Sequence, residues 1–543
     1  MSLRIIVVLA IGFAACGADD GKPAVTESGH DGDAAGEVEA MDHDAMDHDT
    51  MDHDAVDHDA IDHDTMDHDA MIEDIHDMDM NDHEGMGMIP TVIEVPATDG
   101  PFEVAKASDS DPAADVVEVA LEAHEADIVL VPGKPATRLW TYNGQLPGPQ
   151  IEAKVGDTVR VHFTNSLPEA TTIHWHGIRV PAAMDGSQAM QTPVPPGGTF
   201  TYEFVVPDAG TFWYHPHIRS DVQVERGLYG AFVVRGTNEP ATTTDRVVVL
   251  DDVLVTDDFQ LADFAVDQAM VGRQGNLILV NGRAHPIAPA PPGGLHRFRF
   301  VNAANARYFL LSLPGAEIIQ IGTDGGLLEA PREHDSLLIV PGERADVVIA
   351  TSHTSSGSLT WKSLRYDRGH GTGDAPDTSL FDMRFAGAMV HVTPTVPAQL
   401  GDVPELPAPE MTRLLMLEET DGSGTGGHEG HSGADGGAAD GGPVFSINGK
   451  VFPDDEMFTA TLGAVEAWTI HNMTEMDHPF HLHGFRFQVD GDRAWRDTIN
   501  VPAKVMTTFR VRLEDHPGTW MFHCHILEHA ERGMMGHLMV EAP

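Results

Sequence analysis

Cysteine is almost absent from this 543-residue chain: there are two, Cys16 and Cys524, at opposite ends. A disulfide framework is thereby excluded, and each thiol must be read for a task of its own. Basic residues are also few, 32 Lys plus Arg against 85 Asp plus Glu, for a formal charge of −53. Phosphate binding needs clustered cations, so nucleic acid is excluded as a partner. Aromatic residues make up 6% of the chain. Sustained helical periodicity is scarce, and no apolar run is long enough to span a bilayer as a stable helix. What remains in excess is 32 His and 25 Met, which points to metal chemistry before any motif is read. The length suggests three or four domains.

Charge and histidine are unevenly spread. Residues 1–90 carry 25 acids, two bases (Arg4 and Lys22), nine His and ten Met. Arg4 precedes an apolar run from Ile5 to Ala15 that leads into Cys16. The run is short and ends in small residues, so 1–16 are expected to be an export signal. It resembles a bacterial lipoprotein signal, which implies a lipid anchor on Cys16 and a periplasmic or cell-surface location. Next come six Asp-His-Asp units at a period of five, centred on His43, His48, His53, His58, His63 and His68. Met41, Met46, Met51 and Met66 lie between units. A period of five matches neither a helix face nor a strand face, and the charge predicts disorder over 17–112. As a coil the roughly 74 residues of 17–90 would reach about 50 Å. Imidazole with carboxylate suits Cu(II) and thioether with imidazole suits Cu(I), so the tail is expected to capture copper weakly and reversibly. Zinc or nickel would also bind such a tract.

From about residue 113 the pattern alternates, as in Thr158-Val159-Arg160-Val161-His162-Phe163, Arg297-Phe298-Arg299-Phe300 and Phe509-Arg510-Val511-Arg512-Leu513. Turn pairs recur at Asn143-Gly144, Asn281-Gly282 and Asn448-Gly449. The reading is an all-β body of antiparallel sandwiches at 113–238, 239–396 and 397–543. Residues 421–442, mostly Gly, Asp and Ala, read as a flexible insertion in the third.

The first and third domains share a repeat. His174-Trp175-His176-Gly177 parallels His481-Leu482-His483-Gly484, and His215-Pro216-His217 parallels His523-Cys524-His525. In a strand, residues i and i+2 face the same side, so each His-X-His presents two imidazoles together. Eight buried imidazoles without metal would be a heavy polar load. The economical solution packs domain one against domain three, with the eight His around a metal cluster. The repeat breaks where Pro216 stands for Cys524. Cys524 is followed by His529 and Met534, and His478 lies just upstream of His481. Two His, one thiolate and a distant thioether make a blue-copper electron-transfer site, expected in the third domain alone. The backbone of 523–525 would then link it to the cluster.

These four motifs resemble those of three-domain multicopper oxidases, and Asn143 to Ile151, Arg299 to Arg307 and Pro341 to Val347 resemble bacterial members, notably copper-efflux oxidases and laccases. The resemblance covers roughly 120–543 and implies three cupredoxin-like Greek-key β-sandwich domains behind a disordered acidic His/Met-rich tail. It also implies four coppers per chain. Type 1 copper would take His478, Cys524, His529 and axial Met534. Type 2 would take His174 and His481. The type 3 pair would take His176, His215, His217, His483, His523 and His525. Several bacterial members carry Glu immediately after the second type 1 His, where this chain has Ala530. Proton delivery would then fall on Asp185, with Glu528 as a second candidate.

The expected reaction is four one-electron oxidations at the type 1 site coupled to reduction of O2 to water. One expected donor is Cu(I), for copper tolerance, on the strength of the tail and of Met473 and Met476 before His478. The alternative donor is a phenol or aromatic amine reaching an exposed edge of a type 1 His. A reading of another class is a non-catalytic copper-sequestering protein.

Overall fold

The computed structural model describes residues 89–543 apart from 264, 373–375, 421–440 and 456. The expected signal with Cys16, the Asp-His-Asp units and most of the 421–442 insertion lie outside the described residues. Six sheets form three face-to-face pairs. The first pair has two four-stranded sheets, and the second and third pairs each join a six-stranded to a five-stranded sheet. Each pair encloses its own apolar core, around Trp175 and Tyr214, around Phe298 and Trp361, and around Trp468 and Phe480. The body is all-β, as the alternation implies.

Each domain carries the same hairpin. Asn143-Gly144, Asn281-Gly282 and Asn448-Gly449 all have positive φ at both positions, and flanking residues bridge Tyr142 to Gln145, Val280 to Arg283 and Ile447 to Lys450. That backbone is what Asn-Gly adopts at least cost in a two-residue turn.

One expectation needs correction. Disorder does not extend to residue 112: Phe102 is buried in the middle domain's core, Ile93 N–H donates to Asn276 O at 2.7 Å, and Gln150 N–H donates to Ala105 O at 2.8 Å. Residues 89–112 hold several large apolar groups, which pay for their ordering by burial. The arginines of Arg297-Phe298-Arg299-Phe300 do not face water. The strand Leu295–Asn302 is buried at every position. Arg299 binds Asp245 at 2.7 Å and Glu239 at 2.9 Å, and Arg297 pairs with Asp346. Polar residues alternate there because ion pairs within the middle domain replace solvent.

Candidate metal centre

Strand pairing assembles the histidines twice over. In domain one His174–His176 pairs with Gly210–His215 so that His174 lies opposite His215. In domain three His478–Leu482 pairs with Gly518–Cys524 so that His481 lies opposite His523. After its second His-X-His each chain turns into a short helix, Ser220–Gln223 or Leu527–Glu531. The helices touch: Ser220 donates from N and Oγ to Glu531 Oε1 at 2.7 and 2.8 Å.

The two domains then interleave their imidazoles. His174 stacks on His483 with centroids 3.9 Å apart, and His176 stacks on His481 at 3.8 Å. All eight side chains are buried. Carbonyl acceptors fix the tautomers, since a carbonyl can only accept. Nδ1–H of His174 donates to Asp185 O at 2.8 Å, that of His215 to Pro216 O at 2.9 Å, that of His481 to Asp497 O at 2.9 Å, and that of His523 to Cys524 O at 2.8 Å. Their Nε2 lone pairs face inward. Those of His174, His215 and His481 have no hydrogen-bond partner. Nε2 of His523 faces Nε2 of His217 at 3.3 Å and of His483 at 3.1 Å. Burial, with neighbouring imidazoles second, holds His217 down at about 3 and His215, His483, His523 and His525 well below the usual imidazole value. Neutral nitrogens with converging lone pairs repel unless a cation lies between them, so the residues fit a metal cluster.

Two aspartates hold this arrangement with one geometry. Asp185 accepts from His174 through its carbonyl and from His483 Nδ1 through Oδ2 at 2.9 Å. Asp497 accepts from His481 through its carbonyl and from His176 Nε2 through Oδ1 at 3.1 Å. Each therefore orients one His of its own domain and one of the other. Burial would raise the Asp185 carboxyl, but His483 and His174 hold it well below the usual carboxylate range. Burial likewise opposes Asp497, and the Arg344 guanidinium, bonding from Nη1 at 2.7 Å and also from Nη2, holds it low. Sequence reasoning missed Asp497 and Arg344. The internal repeat was the available signal for the first, because it gives Asp185 a counterpart. Arg344 lay inside the quoted Pro341 to Val347 motif.

The second donor set lies in domain three. Nδ1 atoms of His478 and His529 are 3.2 Å apart and lie 3.5 and 3.8 Å from Cys524 Sγ. All three are fully buried, as is Met534, whose N–H donates to His529 O at 2.9 Å. The outer nitrogens are covered: His478 Nε2–H donates to Thr474 Oγ1 at 2.8 Å, and His529 Nε2–H donates to Met270 O at 3.2 Å. Neither ring has the exposed edge expected for contact with an aromatic donor, because the 473–477 loop and the middle domain close over them. Two imidazoles and a thiol at these spacings fit a single soft-metal ion.

The remaining candidates are scattered. Glu528 is buried and pushed up to about 7 by burial; it accepts from Asn305 Nδ2 at 2.8 Å and lies 3.9 Å from Arg273, both outside the cluster. Ala530 packs with Met521 and Met535. Met476 is buried in the core that holds Cys524, whereas Met473 is 44% exposed.

Comparison with known proteins agrees with this geometry. Residues 124–239, 245–359 and 430–543 each match a multicopper oxidase family model. A multicopper oxidase of Mycobacterium tuberculosis is 31% identical over 449 residues, covering 74% of this chain and 83% of its own. A laccase of Bacillus stratosphericus is 28% identical, covering 80% and 96%. Among solved structures, a Campylobacter jejuni multicopper oxidase described as a metallo-oxidase matches with a TM-score of 0.72 at 31% identity, covering 84% and 96%. Matched in all three domains and over most of its length, the chain belongs to the multicopper oxidase family and is an oxidoreductase.

Proposed function

We propose that the protein is a cuprous oxidase serving copper tolerance, coupling four one-electron oxidations of Cu(I) to reduction of O2 to two waters. The observation that carries this reading is the complete burial of both imidazoles beside Cys524, with Thr474 and Met270 over their outer nitrogens. A phenol gives up its electron most readily across a ring edge it touches, and no such edge is open. Further support comes from exposed Met473, from the His/Met-rich tail, and from similarity to a solved protein described as a metallo-oxidase.

In this reading His478, Cys524 and His529, with Met534, hold the type 1 copper. His174 and His481 hold the type 2 copper, and His176, His215, His217, His483, His523 and His525 hold the type 3 pair. When bound, these four coppers supply one-electron uptake at the first set and oxygen reduction at the second. Cys524 ends its strand between His523 and His525, so a covalent path joins the sets. Asp185, whose Oδ1 has no hydrogen-bond partner, is assigned to proton delivery in preference to Glu528. The protein is proposed to work outside the cytoplasm, anchored through Cys16.

Oxygen uptake by copper-loaded protein tests the reading, with Cu(I) and then a phenol as donor, and with residues 17–88 present or deleted. Uptake driven mainly by Cu(I) and reduced by the deletion is the expected result. Similarity to a laccase favours the second reading, which predicts phenol turnover indifferent to the tail. No uptake with either donor would leave a copper-sequestering protein.

A further inference from the structure

On the outer face of the third domain's six-stranded sheet, Met411–Thr420 runs parallel to Val465–Asn472, and Met506–Arg512 runs antiparallel to it. The register sets Met416 opposite His471 and His471 opposite Met506. Side chains alternate across a sheet. Leu415, Leu417, Ile470 and Phe509 enter the core, so Met416 and His471 face outward, as does 57%-exposed Met506. The next row on this face has the same parity, with the hydroxyls of Thr469 and Thr508 2.8 Å apart. Residues directly opposite have Cβ atoms about 5 Å apart, so two thioethers flank one imidazole. No described residue hydrogen-bonds or pairs with the His471 ring. Two thioethers and an imidazole form a soft donor set suited to Cu(I).

The row leads directly to the Cys524 site. Asn472 follows His471, and its Oδ1 accepts from the Thr474 hydroxyl at 2.8 Å. Thr474 Oγ1 in turn accepts from His478 Nε2 at 2.8 Å.

We propose that Met416, His471 and Met506 dock the substrate cuprous ion, and that the hydrogen-bonded chain Asn472–Thr474–His478 carries its electron inward. The inference rests on the cuprous-oxidase reading. Each docked Cu(I) loses one electron and departs as Cu(II). Four such electrons, with four protons, convert one O2 to two waters, and no proton moves at the docking row itself.

Crystals of the copper-loaded full-length protein soaked with Ag(I), a redox-silent stand-in for Cu(I), are expected to show an anomalous peak between Met506 and His471. The double substitution Met416→Leu and Met506→Leu should abolish that peak and raise KM for Cu(I) about tenfold. Met411→Leu, on the same strand but outside the row, should leave KM where it was. Thr474→Val should keep the silver peak while slowing anaerobic bleaching of the blue absorption by Cu(I). No peak, together with an unaltered KM in the double variant, overturns the docking row and leaves the cuprous reading standing. A wild-type protein that takes up no O2 with Cu(I) overturns that reading and electron delivery together, whatever silver shows.

Discussion

Asp185 and Asp497 show how single residues set the chemistry here. Neither is a ligand in the proposed set, yet each uses one carbonyl and one carboxylate to turn two histidines inward. Partners of this kind typically matter by about 10–100-fold in metal affinity or activity. Asp497→Ala should therefore lower copper occupancy by a factor in that range, with His176 and His481 losing their orientation; copper per chain by atomic absorption checks it. Glu225 makes a separate point. It lies away from the cluster, and burial, opposed by Arg273, pushes its carboxyl up to about 8 from an ordinary 4.5. A raised carboxyl contributes its full stability below about 4.5 and loses it as pH climbs toward 8. Glu225→Gln should match wild type in acid and exceed it in melting temperature above about pH 8, as calorimetry across that window would show.

At the scale of elements, the first His-X-His of domain one and that of domain three are each followed by a glycine of positive φ, Gly177 and Gly484. Gly177 has φ 85°, and a Cβ there would meet Arg344 Nη2 at 2.2 Å and Asp497 Oδ2 at 2.5 Å. Ala at this position costs about 1–2 kcal/mol for the left-handed backbone alone. It also displaces a buried ion pair whose carboxylate orients His176. Gly177→Ala should thus lower the melting temperature and copper content together, whereas a loop glycine such as Gly197, with open space around its Cβ position, should cost only the backbone strain. The short helices after the second pairs are elements that alternation could not reveal. Each is one turn long, below the length at which helical periodicity becomes readable.

For the whole molecule, the proposed metal cluster belongs to the interface between domains one and three. Without it, Nε2 atoms of His217, His483 and His523 face one another at 3.1–3.3 Å across that interface. Binding to the folded state alone stabilises by about 4 kcal/mol at a thousandfold excess over Kd. Chelating the copper should lower the melting temperature and raise hydrogen exchange first in the His174–His176 and His478–Leu482 strands, rather than in the middle domain. The middle domain supplies no histidine to either set, but it clamps both, through Arg344 on Asp497 and Met270 over His529.

The sequence by itself determined the all-β class, the Asn-Gly hairpins, the eight paired histidines and the Cys524 set, because periods of two and spacings of two residues are local facts that survive without a fold. It also showed the internal repeat that brings domain one to domain three. Only the tertiary structure decided which groups stand behind those histidines. Asp497, Arg344 and Met270 reach the site across long sequence separations, and no local pattern encodes such contacts. Burial was equally out of reach. Arg297 and Arg299 are buried in ion pairs, Met476 is buried while Met473 is exposed, and both imidazoles beside Cys524 are closed off. Each of these depends on what a neighbouring domain lays over a strand, which packing decides after the strand has formed.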